Sequence, residues 1–361
     1  MNLPSRTVTS CTGDHPSLAD KIMPARYIPW VKTMAYAVVI ANMVLIASGG
    51  IVRLTGSGLG CDTWPRCTKD GSWTTTPEMG IHGLVEFTNR LLTFGLMLVT
   101  ILAFLSILRI ALPDVTGFKG LWPKLFVGLR SREYRYADLF NLTLLLLWGI
   151  PVQAVVGGIS VWLRLNPWMI TAHYYLTAIM IALAAVYLNR VKRYFEPATR
   201  AHEHIEGQHT VAGASLMRTI AWVSSVLCAF LIFMGTVTTG TGPHAGDPDA
   251  HRHAFDPWVV TRLHSFSVWA FCAVVVIAFV LARKFNWPTT VRRVLNFVLV
   301  AIVVQGIIGY IQFFTGLPIW FVWLHLLGSA IFIWAASALI EKLFVLSSPA
   351  ARHQADIRIE H

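Results

Sequence analysis

Apolar residues run almost unbroken through eight stretches of this chain, and polar residues gather between them. The runs cover residues 33–52, 80–108, 138–160, 168–189, 219–238, 258–282, 294–313 and 320–341. A helix of about 20 residues crosses a hydrocarbon core of about 30 Å, so each run predicts one transmembrane helix. The longest runs predict tilted helices.

Composition agrees with the pattern. The 361 residues are 55% hydrophobic and only 13% charged, whereas a soluble domain carries about 25% charge. The net charge of +11 would suggest a nucleic-acid partner in a soluble protein. Here its distribution along the chain assigns it to loops. With the N-terminus inside, the inside segments hold 22 lysines and arginines and the outside segments hold five, while Arg90 and Arg262 fall within spans. That asymmetry predicts a multi-pass protein of the cell membrane with both termini cytoplasmic. Residues 1–32 lack the short apolar core of a cleavable signal and read as a disordered cytoplasmic tail. Residues 342–361 read as a second tail.

The chain repeats itself. Gln153 is followed four residues later by Gly157 and twenty later by His173; Gln305 is followed at the same spacings by Gly309 and His325. "GGIVRLTGSG" parallels "MGTVTTGTGPHAG", each a span with a glycine-rich exit. "EFTNRLLTF" parallels "VTRLHSFSVWAF" and sets Asn89 opposite His264. The fold expected is therefore an all-α membrane protein of eight transmembrane helices in two repeated four-helix bundles, 33–189 and 219–341, joined by a cytoplasmic linker, 190–218. Each unit has an even number of spans, so both share one orientation and the pseudo-two-fold axis runs along the membrane normal.

Four of the thirteen histidines, His82, His173, His264 and His325, open spans on the outer side. Ionisable residues inside a membrane mark function. His264 and His325 lie on the second and fourth helices of one bundle, and two imidazoles from facing helices suit six-coordinate haem iron. Zinc would need a third or fourth ligand. The first bundle is no copy: His173 matches His325, but Asn89 stands where His264 does. Asn89 shares a helix face with Glu86 and His82. Iron on His173 alone would be open toward Glu86 and Asn89. His82 is the other candidate ligand, about 10 Å along the helix from Asn89. Glu86 can instead form an ion pair with Arg90, four residues on.

The remaining histidines read as solvated. His15, His202, His204, His209, His353 and His361 fall in cytoplasmic segments, and His244, His251 and His253 in a hydrated outer loop. Cys61 and Cys67 fall outside, where an oxidising face favours a disulfide over two free thiols and a cross-link would fix local shape. Cys11 falls inside, and Cys228 and Cys272 read as apolar fillers.

These residues resemble one family. "GGIVRLTGSGLGC", "WPRC", "EFTNR", "QAVVGG" with His173, "TGTGPHAGD", "RLH" with His264 and "QGIIGY" with His325 are similar to haem A synthase over about 33–341. The resemblance implies a resident haem b between His264 and His325. It implies haem O as substrate near His173, with a ring methyl oxidised to a formyl to give haem A, and Glu86 as the essential glutamate. It also maps the family's cysteine pair onto Cys61 and Cys67. The family's glutamate motif ends in His-Arg; here it reads Asn89–Arg90, so a bis-histidine pair is not carried over to the first bundle. Anionic propionates would sit near Arg53, Arg90 and Arg262, with Arg53 alternatively a snorkelling side chain.

The partners expected are membrane lipid, an electron donor of unknown identity and the farnesyltransferase that makes haem O; a homo-oligomer is also compatible. Two rivals remain at this level: a di-haem b-type cytochrome that only carries electrons, and a transporter with an internal repeat. The outer position of the polar residues argues against the transporter.

Overall fold

The computed structural model describes residues 17–113, 118–131, 133–196 and 213–348. Eight long helices form: α1 (Pro29–Leu54), α2 (Gly80–Ala111), α3 (Ala137–Trp162), α4 (Pro167–Phe195), α5 (Ala214–Thr241), α6 (Pro257–Lys284), α7 (Thr289–Phe314) and α8 (Ile319–Ser347). All eight are long and apolar enough to cross a membrane, and among the described residues there is no strand. The helices outrun the apolar stretches because their ends continue into polar, interfacial residues. The tail expected to be disordered carries the helix Leu18–Ile22 and the first turn of α1, with Asp20 paired to Arg109 at 2.7 Å. The Arg109 guanidinium and the Ser17 hydroxyl hold the Asp20 carboxyl below its ordinary value. Cys11, His15, His202, His204, His209, His353 and His361 lie outside the described residues. A short helix, Phe118–Val127, follows α2. Pro123 and its ten-residue length hid it from a search for spans.

Helix starts are written locally. α4 opens with Asn166-Pro167-Trp168 and α6 with Asp256-Pro257-Trp258. In each the polar side chain accepts from a first-turn N–H and proline occupies the first helical position. Helix ends are written as alike. In the α3–α4 turn Arg164 and Leu165 have φ of 49° and 56°; in the α7–α8 turn Gly316 and Leu317 have 81° and 60°. Leu165 N–H donates to Ser160 O at 2.8 Å, and Leu317 N–H to Gln312 O at 2.7 Å. Both turns thus close their helix with the same left-handed pair, which satisfies carbonyls a helix end leaves open.

α1–α4 pack in cyclic order, α1 on α2, α2 on α3, α3 on α4 and α4 on α1; α5–α8 do the same. The two halves meet where α4 packs on α8 and α5, and α8 on α1. Alanines 178, 184 and 185 of α4 and 330, 335, 336 and 338 of α8 are buried, and small residues let membrane helices approach closely. Polar contacts add direction. Tyr174 Oη lies 2.5 Å from Ser329 Oγ, and Trp323 Nε1 donates to Ala47 O at 2.9 Å. Toward the other end, Arg190 reaches both Asp138 (3.2 Å) and Glu341 (3.3 Å), and Arg193 reaches Glu341 at 2.8 Å.

Candidate haem-facing histidines and their loop

Three imidazoles lie against three glycines. A Cβ on Gly157 of α3 would stand 3.1 Å from His173 Cε1; one on Gly235 of α5, 3.1 Å from His264 Cε1; one on Gly309 of α7, 3.4 Å from His325 Cε1. Each ring therefore rests on the bare backbone of the next helix, in a cradle a methyl group would crowd. The Nδ1 atoms of all three are buried without a hydrogen-bond partner. Carbonyls one turn before the cradle glycines, those of Leu231 and Gln305, face the rings of His264 and His325. The cyclic packing sets α6 and α8 opposite one another. His264 and His325 are therefore the pair that would hold a haem iron between opposite helices. Among the described residues no three His, Cys, Asp or Glu side chains gather into a metal set, which leaves a zinc-type site without its ligands.

The fourth position differs. Asn89 of α2 has no imidazole to present, and its Oδ1 lies 2.7 Å from Ser48 Oγ, which is also 3.0 Å from Leu45 O. The Ser48 hydroxyl thus occupies the α1 surface beside Asn89 and turns the amide oxygen toward α1. The amide nitrogen is the group Asn89 retains for anything opposite His173. The adjoining Gly49 has open space where a Cβ would be. Gln153 also belongs to this region: its Nε2 donates to Thr177 Oγ1 at 2.7 Å and to His173 O at 3.3 Å. The repeat contained Gln153 and Gln305 as spacing markers, but Ser48 carried no signal of its own.

The loop after α1 folds over this end. Cys61 and Cys67 form a disulfide, with Cα atoms 4.5 Å apart, and both are buried. Glu86 of α2, 5% exposed, sits under the loop. Its Oε2 accepts the Cys61 N–H at 2.7 Å, and its Oε1 lies 2.5 Å from Arg90 Nη2. The ion pair allowed by the four-residue spacing is thus formed, and the loop shares it. Arg90 also donates to Thr63 O (3.1 Å) and Arg66 O (3.3 Å). His82 turns to the loop as well, its Nδ1 2.9 Å from Ser57 Oγ. A Cβ on Gly60 would collide with the His82 carbonyl, and one on Gly158 with the Trp64 ring. Glycine is needed there because backbone and ring approach too closely for any side chain.

Arg53 goes elsewhere. Its Nε donates to His244 O at 2.8 Å and its Nη2 to Thr239 O at 3.0 Å, both carbonyls of the other half. Hydrogen bonds to a charged group contribute about 1.5–3 kcal/mol each. Arg53 is therefore a tie between halves, with Nη1 left over. Arg262 is the exposed arginine of the three, lying 6.0 Å from the Trp258 ring. The outer loop is less hydrated than its polarity suggested. His253 is buried between Trp168 (4.4 Å) and Phe255 (5.6 Å), and His244 Nε2 lies 2.9 Å from Leu317 O. Only His251 of the three is exposed. Burial, with the nearby Arg53 charge, holds the His253 imidazole below its ordinary value.

Eight helices of membrane-crossing length define a multi-pass membrane protein. The chain belongs to the COX15-CtaA family, described as cytochrome oxidase assembly protein, whose family model matches residues 32–337. This is the haem A synthase family that the motifs resemble. No curated protein matches the chain.

Proposed function

We propose that the protein is a haem A synthase built from two four-helix bundles related by a pseudo-two-fold axis along the membrane normal. The equal packing order of the halves, the matching turns and the matching histidine cradles support the repeat. His264 and His325 would hold a haem b, which when bound would supply electron transfer. Haem O would be the substrate of the first half, where His173 and Asn89 stand on helices that the packing order sets opposite one another.

One observation carries the catalytic reading: where the second half has His264, the first has an asparagine whose oxygen is held by Ser48. The second half is closed by two imidazoles and the first is open on one side. Glu86 stands on the same helix face as Asn89, under the disulfide loop. It is held by the Cys61 amide and Arg90, so its carboxylate can take or return a proton without free access to water. The loop orients the carboxylate and excludes bulk solvent. The ring methyl of haem O is hydroxylated twice, each time with O₂, two electrons from an external donor and two protons. Loss of water from the geminal diol then leaves the formyl of haem A. Lysine and arginine distribution supports an outward orientation of this end, with both termini cytoplasmic.

The test is to extract and chromatograph the haems of protein purified from cells that also make haem O. Haem b together with haem O or haem A is expected. Haem b alone, with no haem A formed, would overturn the synthase reading in favour of an electron-carrying cytochrome.

A further inference from the structure

At the opposite end of the second half, a cleft of about 290 Å³ opens between α6 and α7. It is lined by Phe279, Arg283, Thr289, Arg292, Arg293 and Asn296. Three guanidinium groups converge there, and among the described residues none of them pairs with a carboxylate. Arg283 lies over the Phe279 ring at 4.7 Å. Arg283 ends α6, where a cation suits the helix dipole. Arg292 and Arg293 open α7, where it does not, and the first turn of α7 holds no acidic residue to offset them. Two arginines at the positive end of a helix, beside a third, form a concentrated positive charge that favours an anion among them.

The surface that runs from the cleft into the membrane is apolar. Asn296, Val300, Val303, Ile307 and Tyr310 share one face of α7, and all are exposed. On α6, Arg283, Val276 and Trp269 follow at helical spacing and are also exposed. Trp269 Nε1 donates to Tyr310 Oη at 3.3 Å and closes the strip. From Arg283 to Trp269, and from Asn296 to Tyr310, the strip is about 21 Å long at 1.5 Å per residue. One leaflet of hydrocarbon is about 15 Å deep. The surface therefore has a cationic head and an apolar tail of leaflet length.

We infer that the α6–α7 cleft is a binding site for an anionic phospholipid, its phosphodiester held by Arg283, Arg292 and Arg293 and an acyl chain lying along the α6–α7 strip. Guanidinium groups match phosphate oxygens in pairs, and basic pockets between membrane helices select anionic head groups.

The test is native mass spectrometry of the full-length protein released from micelles containing equal phosphatidylglycerol and phosphatidylcholine. Wild type should retain phosphatidylglycerol preferentially, and the preference should fall by about fivefold for each arginine removed in Arg292→Gln and Arg292→Gln/Arg293→Gln. Arg109→Gln, on the same side but paired with Asp20, should keep it. Inorganic phosphate at millimolar concentration should leave the lipid in place. Equal retention of the two lipids by wild type overturns the proposal. So does an unchanged preference in the double variant, or displacement by phosphate alone, which would assign a free-anion site. Should the double variant fail to insert, the single variants carry the same comparison.

Discussion

The two halves present the same cradle with different contents. In the second, two rings rest on glycines, His264 on Gly235 and His325 on Gly309, and stand on helices that the packing order sets opposite one another. In the first, one ring rests on Gly157, and the opposite helix carries an asparagine bonded to a serine. The scaffold is alike down to the left-handed pair in each hairpin turn, so the chemical difference rests on few side chains. On the proposed function, a closed pair of imidazoles would hold iron and leave no room for a reactant, and an open side with a carboxylate on the same helix face would admit one. The comparison also separates two uses of arginine. Arg90 serves the loop and Glu86, whereas Arg53 leaves its own half and binds the backbone of the other.

The largest effect should come from removing a member of the closed pair. His264→Ala or His325→Ala should abolish the bis-histidine haem b spectrum, while His173→Ala leaves that spectrum intact; loss of the same signal in all three would erase the distinction. Glu86→Ala should lower haem A formation by about 100-fold or more with haem b content unchanged, and normal haem A in extracts would remove Glu86 from the chemistry. Asn89→His, with Ser48→Ala to free the space, would convert the open side into a closed one. A second low-spin haem spectrum with turnover reduced about tenfold or more is expected, and undiminished turnover would show that the open side is not what matters. Gly235→Ala pushes a methyl against His264 and should weaken haem b retention by about 1–3 kcal/mol, the range for overpacked interiors. Gly157→Ala should do the same only for haem bound at His173.

The smallest effect is electrostatic. The folded pKa of His253 lies below the ordinary imidazole value of 6.5. Its contribution to stability is therefore complete above that value and is lost as pH falls through it toward the folded pKa. Thermal unfolding in detergent should shift downward on acidification, and His253→Phe should flatten that dependence. An identical slope in the variant would place the titrating group elsewhere.

Much of this was legible in sequence. Eight apolar runs gave the eight helices because membrane thickness fixes their length. His173, His264 and His325 stood out because a histidine in an apolar run has few other reasons to be there. The ion pair of Glu86 with Arg90 was the lesser of two readings that helical spacing left open. What sequence did not carry was the destination of side chains that cross between helices. Arg53 reads as an anion ligand until its two carbonyl partners, almost two hundred residues away, are seen. Ser48 is one of several serines in helices, and only packing puts it beside Asn89. His253 looks solvated because it lies in a loop rich in charged residues, whereas Trp168, from another helix, covers it in space together with Phe255.

The bond from the Cys61 amide to Glu86 has a consequence for biogenesis. The amide is a substituent on a covalently closed ring, so the seating of the carboxylate is coupled to the pairing of two thiols. With the thiols reduced, the helices can be in place while Glu86 keeps only its bond to Arg90. Closing the disulfide thereby completes the seat of Glu86 at this end of the molecule.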